Sequence, residues 1–282
     1  RSRDLPSPAG QARRASPHRG RSLALATKEL RQLFASPIAY VVGTAYVALT
    51  GIYFFQHLVS YNQLLFVYQS EGIGGGGFDQ GTVPSHINVL NEVFVPAADD
   101  FGLFLLVVLP LVTMRVFAEE RANGTDELLL TSGLRPWEVA LAKHAVTYLF
   151  VVLLLAASAI YPAVVVSRAG LGFEHLLALY VGQLCYGCAI ASIGLACSSF
   201  TASQIVAAVL GYSIPFVLLD FAWLSNAVSE PVARALGEIA LLGHYGSFPR
   251  GVIELREVLY FAAIAFLGWL ASLTALELGR AR

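Results

Sequence analysis

The residues with the most chemical potential form one charged island. It runs MRVFAEERANGTDELLLTSGLRPWEVALAK from Met114 to Lys143. Within it stand Glu119, Glu120 and Arg121, then Gly124, Thr125, Asp126 and Glu127, then the apolar triplet Leu128, Leu129 and Leu130. Paired carboxylates can serve as general acid and base. Proteolysis inside a bilayer would need such a pair together with His residues in the apolar region. Here the acids end an apolar run and Arg121 follows at once. The six His residues (His18, His57, His86, His144, His175 and His244) are scattered, and none forms an HExxH pair. Cys185 and Cys188 make a CxxC spacing, which on a helix sets both thiols on one face. No second CxxC and no nearby His completes a ligand set. The Gly-rich stretch EGIGGGGFDQGT lacks the GK[ST] ending of a phosphate loop, and no GxxxxGK[ST] occurs anywhere. No catalytic, metal-binding or cofactor-binding residue is expected, and a membrane-embedded hydrolase is the weakest reading.

The elements that hold the island are apolar. Of 282 residues, 56% are hydrophobic and 13% charged, and the mean hydropathy is +0.65. A soluble domain averages about a quarter charged. About 20 apolar residues cross a hydrocarbon core of roughly 30 Å. Six such stretches are expected, at about 38–58, 101–118, 139–166, 176–197, 205–224 and 258–276. Their central parts carry no Asp, Glu, Lys or Arg, as the cost of a mid-bilayer charge demands. Pro110, Pro162 and Pro215 lie inside them as candidate hinges, since each frees a backbone carbonyl. Gly182, Gly187, Ala191 and Gly194 in the fourth stretch permit close helix packing. The fold expected is all-α and integral to the membrane.

Lys and Arg set the orientation. Fourteen of the 18 fall before the first span, in the 115–143 island, or after the last span. That bias places both termini and the island in the cytoplasm. Residues 1–22, rich in Arg, Pro and Ser, read as a disordered cytoplasmic tail, followed by a single membrane domain over 23–282. Residues 23–36 read as an interfacial amphipathic helix, with Leu23, Leu30, Leu33 and Phe34 on the apolar face and Lys28, Glu29, Arg31 and Gln32 elsewhere. Segments 59–100 and 225–257 then lie outside. The first is a Gly-rich linker with an acidic approach at Glu92, Asp99 and Asp100. The second carries short helices that lie at or dip into the outer leaflet.

The island also carries a resemblance. FAEERANGTDELLLTSGLRPWEVALAKH is similar to the first cytoplasmic loop of permeases in the type-2 ABC transporter family, with Gly133 where Pro is usual and Ala142 where Gly is common. HYGSFPRGVIELREVLYF, from His244 to Phe261, resembles the segment before the last span in the gliding-motility-associated and nitrous-oxide-accessory branch. KELRQLFASPIAYV resembles the entry helix of that branch.

The resemblance implies a bacterial inner-membrane permease that dimerises with itself or with another permease. A separate ATPase supplies ATP and Mg binding and docks through a coupling helix between the second and third spans. An exporter is expected. The alternative is a non-transporting mechanotransmission module of an envelope or motility complex, with a periplasmic partner. No nucleic-acid partner is implied. The docking residues expected are Glu119, Glu120, Arg121, Gly124, Thr125, Glu127, Leu128 and Leu129, with Trp137 and Lys143 anchoring the next span at the interface.

Overall fold

A computed structural model describes residues 17–74, 87–125, 135–220 and 228–280, with side chains from residue 25 except 69 and 71–74. Among these residues every regular element is helical. Helix α1 spans Pro17–Ala35, so it begins inside the expected tail. It stops at Ser36 because the residue before a proline is pushed out of the helical region. The Ser36 hydroxyl then accepts from the amide of Ile38 at 3.4 Å, capping α2, whose first residue is Pro37.

Helix α2 runs Pro37–Gly74, 38 residues, far past the expected end at 58. The segment 59–74 is therefore helix and not an external linker. The glycine run beyond Gly74 lies outside the described residues. At about 1.5 Å per residue, α2 is roughly 57 Å long. A π-turn at Leu90–Phe94 feeds α3, Val95–Val116, and a short α4 follows at Ala118–Ala122. The second span thus starts earlier than expected and absorbs the acidic approach. Asp100 pairs with His57 of α2 at 2.7 Å.

The third expected span arrives as two helices, α5 at Pro136–Ser158 and α6 at Ile160–Ala169. Pro162 has no amide to return to the carbonyl of Ser158, and its ring crowds that carbonyl. Helix α7 is Phe173–Ser199 and α8 is Gln204–Leu219. Two short helices follow, α9 at Glu230–Gly237 and α10 at Leu241–Tyr245, then a 3₁₀ turn at Phe248–Arg250 and the long α11, Leu255–Arg280. Five helices are long and apolar enough to cross a membrane: Pro37–Tyr68, Leu90–Ala122, Pro136–Ser158, Phe173–Ser199 and Leu255–Arg280. The expectation of six full spans is not met among the described residues. The fifth expected span supplies 16 helical residues, roughly 24 Å at 1.5 Å per residue, short of a core of about 30 Å.

Helix α7 is the centre of the bundle, and its glycines set the packing. A methyl group at Gly182 would overlap Phe248, one at Gly187 would crowd Val151, and one at Gly194 would overlap Thr113. On α11, Gly268 meets Ser192 in the same way. Around this axis Tyr46, Leu105, Val151, Tyr186, Ile190, Tyr245, Phe248 and Phe261 close a common core. Pro110 is buried in a continuous α3. Beside it, the Tyr212 hydroxyl of α8 donates to the Val107 carbonyl at 2.7 Å and ties α8 to α3. Pro215 sits buried within a continuous α8. Helix α9 buries no residue, whereas α10 plugs the core with Leu241 and Tyr245. The Tyr245 hydroxyl and the Gln183 amide both donate to the carbonyl of Ala98, each at 3.0 Å.

Candidate functional site

The helical path from α3 to α4 breaks at Phe117. In an unbroken helix the amides of Phe117 and Ala118 would pair one turn back, and the carbonyl of Val116 one turn ahead. Two other elements satisfy these groups instead. From the end of α7, the Ser198 hydroxyl accepts from the amides of Phe117 at 3.2 Å and Ala118 at 3.0 Å, and donates to the carbonyl of Met114 at 3.0 Å. From α5, the Lys143 ammonium donates to the carbonyl of Val116 at 2.9 Å and lies 5.1 Å from the centre of the Phe117 ring. That distance is within cation–π range.

Lys143 is 1% exposed. Its ammonium also pairs with Glu29 of α1 at 3.0 Å and Glu120 of α4 at 2.9 Å. The ammonium donates to Glu29 and to the Val116 carbonyl, and Glu120 completes its surroundings as an ion pair. The other oxygen of Glu120 meets Lys28 at 3.2 Å, and the other oxygen of Glu29 lies 3.6 Å from Lys28. Burial lowers the Lys28 pKa, but the adjacent charges of Glu120 and Glu29 outweigh it and hold the amine above its ordinary range. Two acids and two bases therefore join α1, α4 and α5 and leave no net charge.

This geometry corrects several expectations. Glu29 does not lie on the solvated face of an amphipathic helix; with Leu25, four residues earlier, it faces the bundle. Lys143 is not an interfacial anchor but a buried bridge. Glu120 presents no free carboxylate to a partner, because both its oxygens are paired inside the chain. Arg121 points inward as well, donating to the carbonyl of Ala275 on α11 at 3.1 Å. Glu138 accepts from the amide of Arg135 at 3.0 Å and caps α5.

Thr125 closes the end of α4. Gly124 has φ +66°, its amide bonds the carbonyl of Arg121 at 3.2 Å, and the amide of Thr125 bonds that of Glu120 at 2.9 Å. These two bonds form a Schellman motif, and the positive φ requires the glycine. The Thr125 hydroxyl adds a third bond, to the Glu120 carbonyl at 3.2 Å.

Gly124 and Thr125 are exposed, and Glu119 is half-buried. Glu127, Leu128 and Leu129 lie outside the described residues, as does the coupling helix expected there. The sequence reading missed Ser198, Glu29 as a buried partner, and the exposed Arg135 and Leu141 beside the loop. Ser198 leaves no local signal, because a small hydroxyl residue at the end of an apolar helix is ordinary. Among the described residues no three His, Cys, Asp or Glu gather where they could hold a metal ion. Cys185, Cys188 and Cys197 are free thiols.

Helical throughout its described residues, with several apolar helices of membrane-crossing length and buried ion pairs at the root of the charged island, this is a multi-pass membrane protein. The chain belongs to a family described as ABC-2 family transporter protein, which matches residues 92–236. It is the membrane-spanning subunit of an ABC transporter, a system that includes an ATPase partner. The match runs from the π-turn through α9 and contains the Phe117 break and the loop. Comparison with curated proteins finds no match.

Proposed function

We propose that this chain is the permease of an ATP-driven exporter in the bacterial inner membrane, with both termini and the 115–143 loop in the cytoplasm. It belongs with the gliding-motility-associated and nitrous-oxide-accessory branch, on the strength of the segment His244–Phe261. It works as a dimer with itself or with a second permease. A separate ATPase binds ATP and Mg and carries out hydrolysis. This chain carries no catalytic residue of its own.

The observation that carries the reading is the Phe117 break. A displacement of the loop reaches α4 through the Schellman turn and pivots it at Phe117. The buried ion pairs hand the motion to α1 and α5, and Ser198 hands it to α7. Four elements then shift together, because a buried charge cannot lose its partners cheaply. The docking surface comprises Gly124 and Thr125 with Glu127, Leu128 and Leu129, joined by Arg135 and Trp137. Glu119, Glu120 and Arg121 act behind it. Co-expression with a candidate ABC ATPase tests the assignment. Thr125→Arg with Arg135→Glu should abolish co-purification and stimulated ATP turnover while the melting temperature stays unchanged. Unimpaired binding in that variant sinks the docking role.

One feature favours the mechanical reading as an alternative. Helix α2 is 38 residues long, well beyond what a hydrocarbon core of about 30 Å takes up. A strut of this kind suits an envelope partner on the far side. Reconstituted complex that turns over ATP without moving any cargo would favour it over export.

A further inference from the structure

A second site opens beside the ion-pair cluster. A cavity of about 80 Å³ lies between α1, the end of α3 and the start of α5, with Arg115, Glu119, Lys143 and Thr147 among its walls. That is several times the volume a single water needs. Lys143, Glu29, Glu120 and Lys28 neutralise one another. Arg115 and Glu119 do not: neither has a side-chain partner among the described residues. The Nε of Arg115 is buried with no acceptor. The cavity thus offers one uncommitted cation and one uncommitted anion, four positions apart.

Ala39 is a wall of this cavity and also of a crevice of about 480 Å³ between α2 and α5. The crevice is lined by Gly43, Thr44, Ala48, Phe150 and Leu154. Gly43 lies on its floor, where a methyl would come into ordinary contact with Leu154 at 3.6 Å. It opens sideways beside the exposed Tyr40 and Ala48. From Ala39 to Ala48 is nine residues, roughly 14 Å at 1.5 Å per residue. That matches half of a hydrocarbon core of about 30 Å, the depth of one leaflet.

We propose that this is a binding site for a zwitterionic glycerophospholipid. The phosphate pairs with Arg115, the ammonium of the headgroup pairs with Glu119, and one acyl chain lies in the α2/α5 crevice. A soluble phosphate or amine would use the cavity and not the crevice. An anionic lipid would leave Glu119 uncompensated. The bound lipid fills the space between α2 and α5 beside the Lys143 cluster, so headgroup composition bears on how firmly α1 and α5 are joined. The proposal does not depend on the direction of transport or on the ATPase.

The full chain, reconstituted in nanodiscs of equimolar phosphatidylethanolamine and phosphatidylglycerol, is released into detergent and weighed by native mass spectrometry. Wild type should retain phosphatidylethanolamine. Arg115→Gln should lower that retention about tenfold, equivalent to about 1.4 kcal/mol. Ala48→Trp, on the exposed flank where folding tolerates bulk, should lower it comparably by blocking the crevice. Glu119→Gln should shift the preference to phosphatidylglycerol. Absence of retained lipid overturns the proposal. So does retention that survives both Arg115→Gln and Ala48→Trp, and so does a wild-type preference for phosphatidylglycerol.

Discussion

Lys143→Met is the perturbation that tests the cluster most directly. Methionine keeps most of the side-chain volume and removes the charge. Glu29 and Glu120, 7% exposed each, are then left facing one another. The carbonyl of Val116 loses its donor. Removing one partner of a buried ion pair costs about 3–5 kcal/mol. Lys28 moderates this, because it already meets both acids at 3.2 and 3.6 Å and is half-exposed, so water reaches that side. A cost of about 3 kcal/mol follows, near the bottom of that range. At about 2–4 °C per kcal/mol, the melting midpoint in detergent should fall by roughly 6–12 °C.

Glu120→Gln in the same background should restore part of the loss, since it removes one of the two stranded charges. A double-mutant cycle should therefore give a coupling of about 1–3 kcal/mol between Lys143 and Glu120. A coupling below about 0.5 kcal/mol, or a midpoint for Lys143→Met within the scatter of wild type, would refute the keystone role. The same geometry fixes the outcome of Glu120→Lys. A third amine beside Lys28 and Lys143 reports on folding before it can report on docking.

Ser198→Ala should destabilise by about 1–3 kcal/mol, because it strands the amides of Phe117 and Ala118 in a buried site; amide exchange at those two positions should rise with it. Gly182→Ala should cost about 1–3 kcal/mol by forcing Phe248 out of the core, measured as a lower melting midpoint with the helical circular dichroism retained. Lys28 gives a pH dependence with a definite sign. Its folded pKa stands above the ordinary 10.5, so its contribution is complete below 10.5 and is lost as pH rises through the folded value. Thermal melts of wild type should weaken on that alkaline limb more than those of Lys28→Gln, and coincident limbs would remove Lys28 from the cluster.

The sequence by itself determined that this is a helical membrane protein, because the length of an apolar run answers directly to the thickness of a bilayer. It placed the core of every long helix and marked the charged island with its family resemblance. Pro162 was legible as a hinge for a local reason, since a missing amide acts within one turn, though not that the third span divides there into two helices. The glycines of α7 were legible as close-packing positions, though not what they pack against.

Tertiary structure alone decided what the charges do. Lys143 meets Glu29 across 114 positions, and Ser198 meets Phe117 across 81. Neither pairing leaves a periodic or nearest-neighbour trace. Read locally, Glu29 and Glu120 belong to solvated surfaces, since burying an unpaired carboxylate is costly. Only when α1, α4 and α5 converge does a buried amine appear that reverses that balance. The island therefore divides into two parts that its sequence does not separate: a face turned outward at Gly124, Thr125, Arg135 and Trp137, and a charged root turned inward.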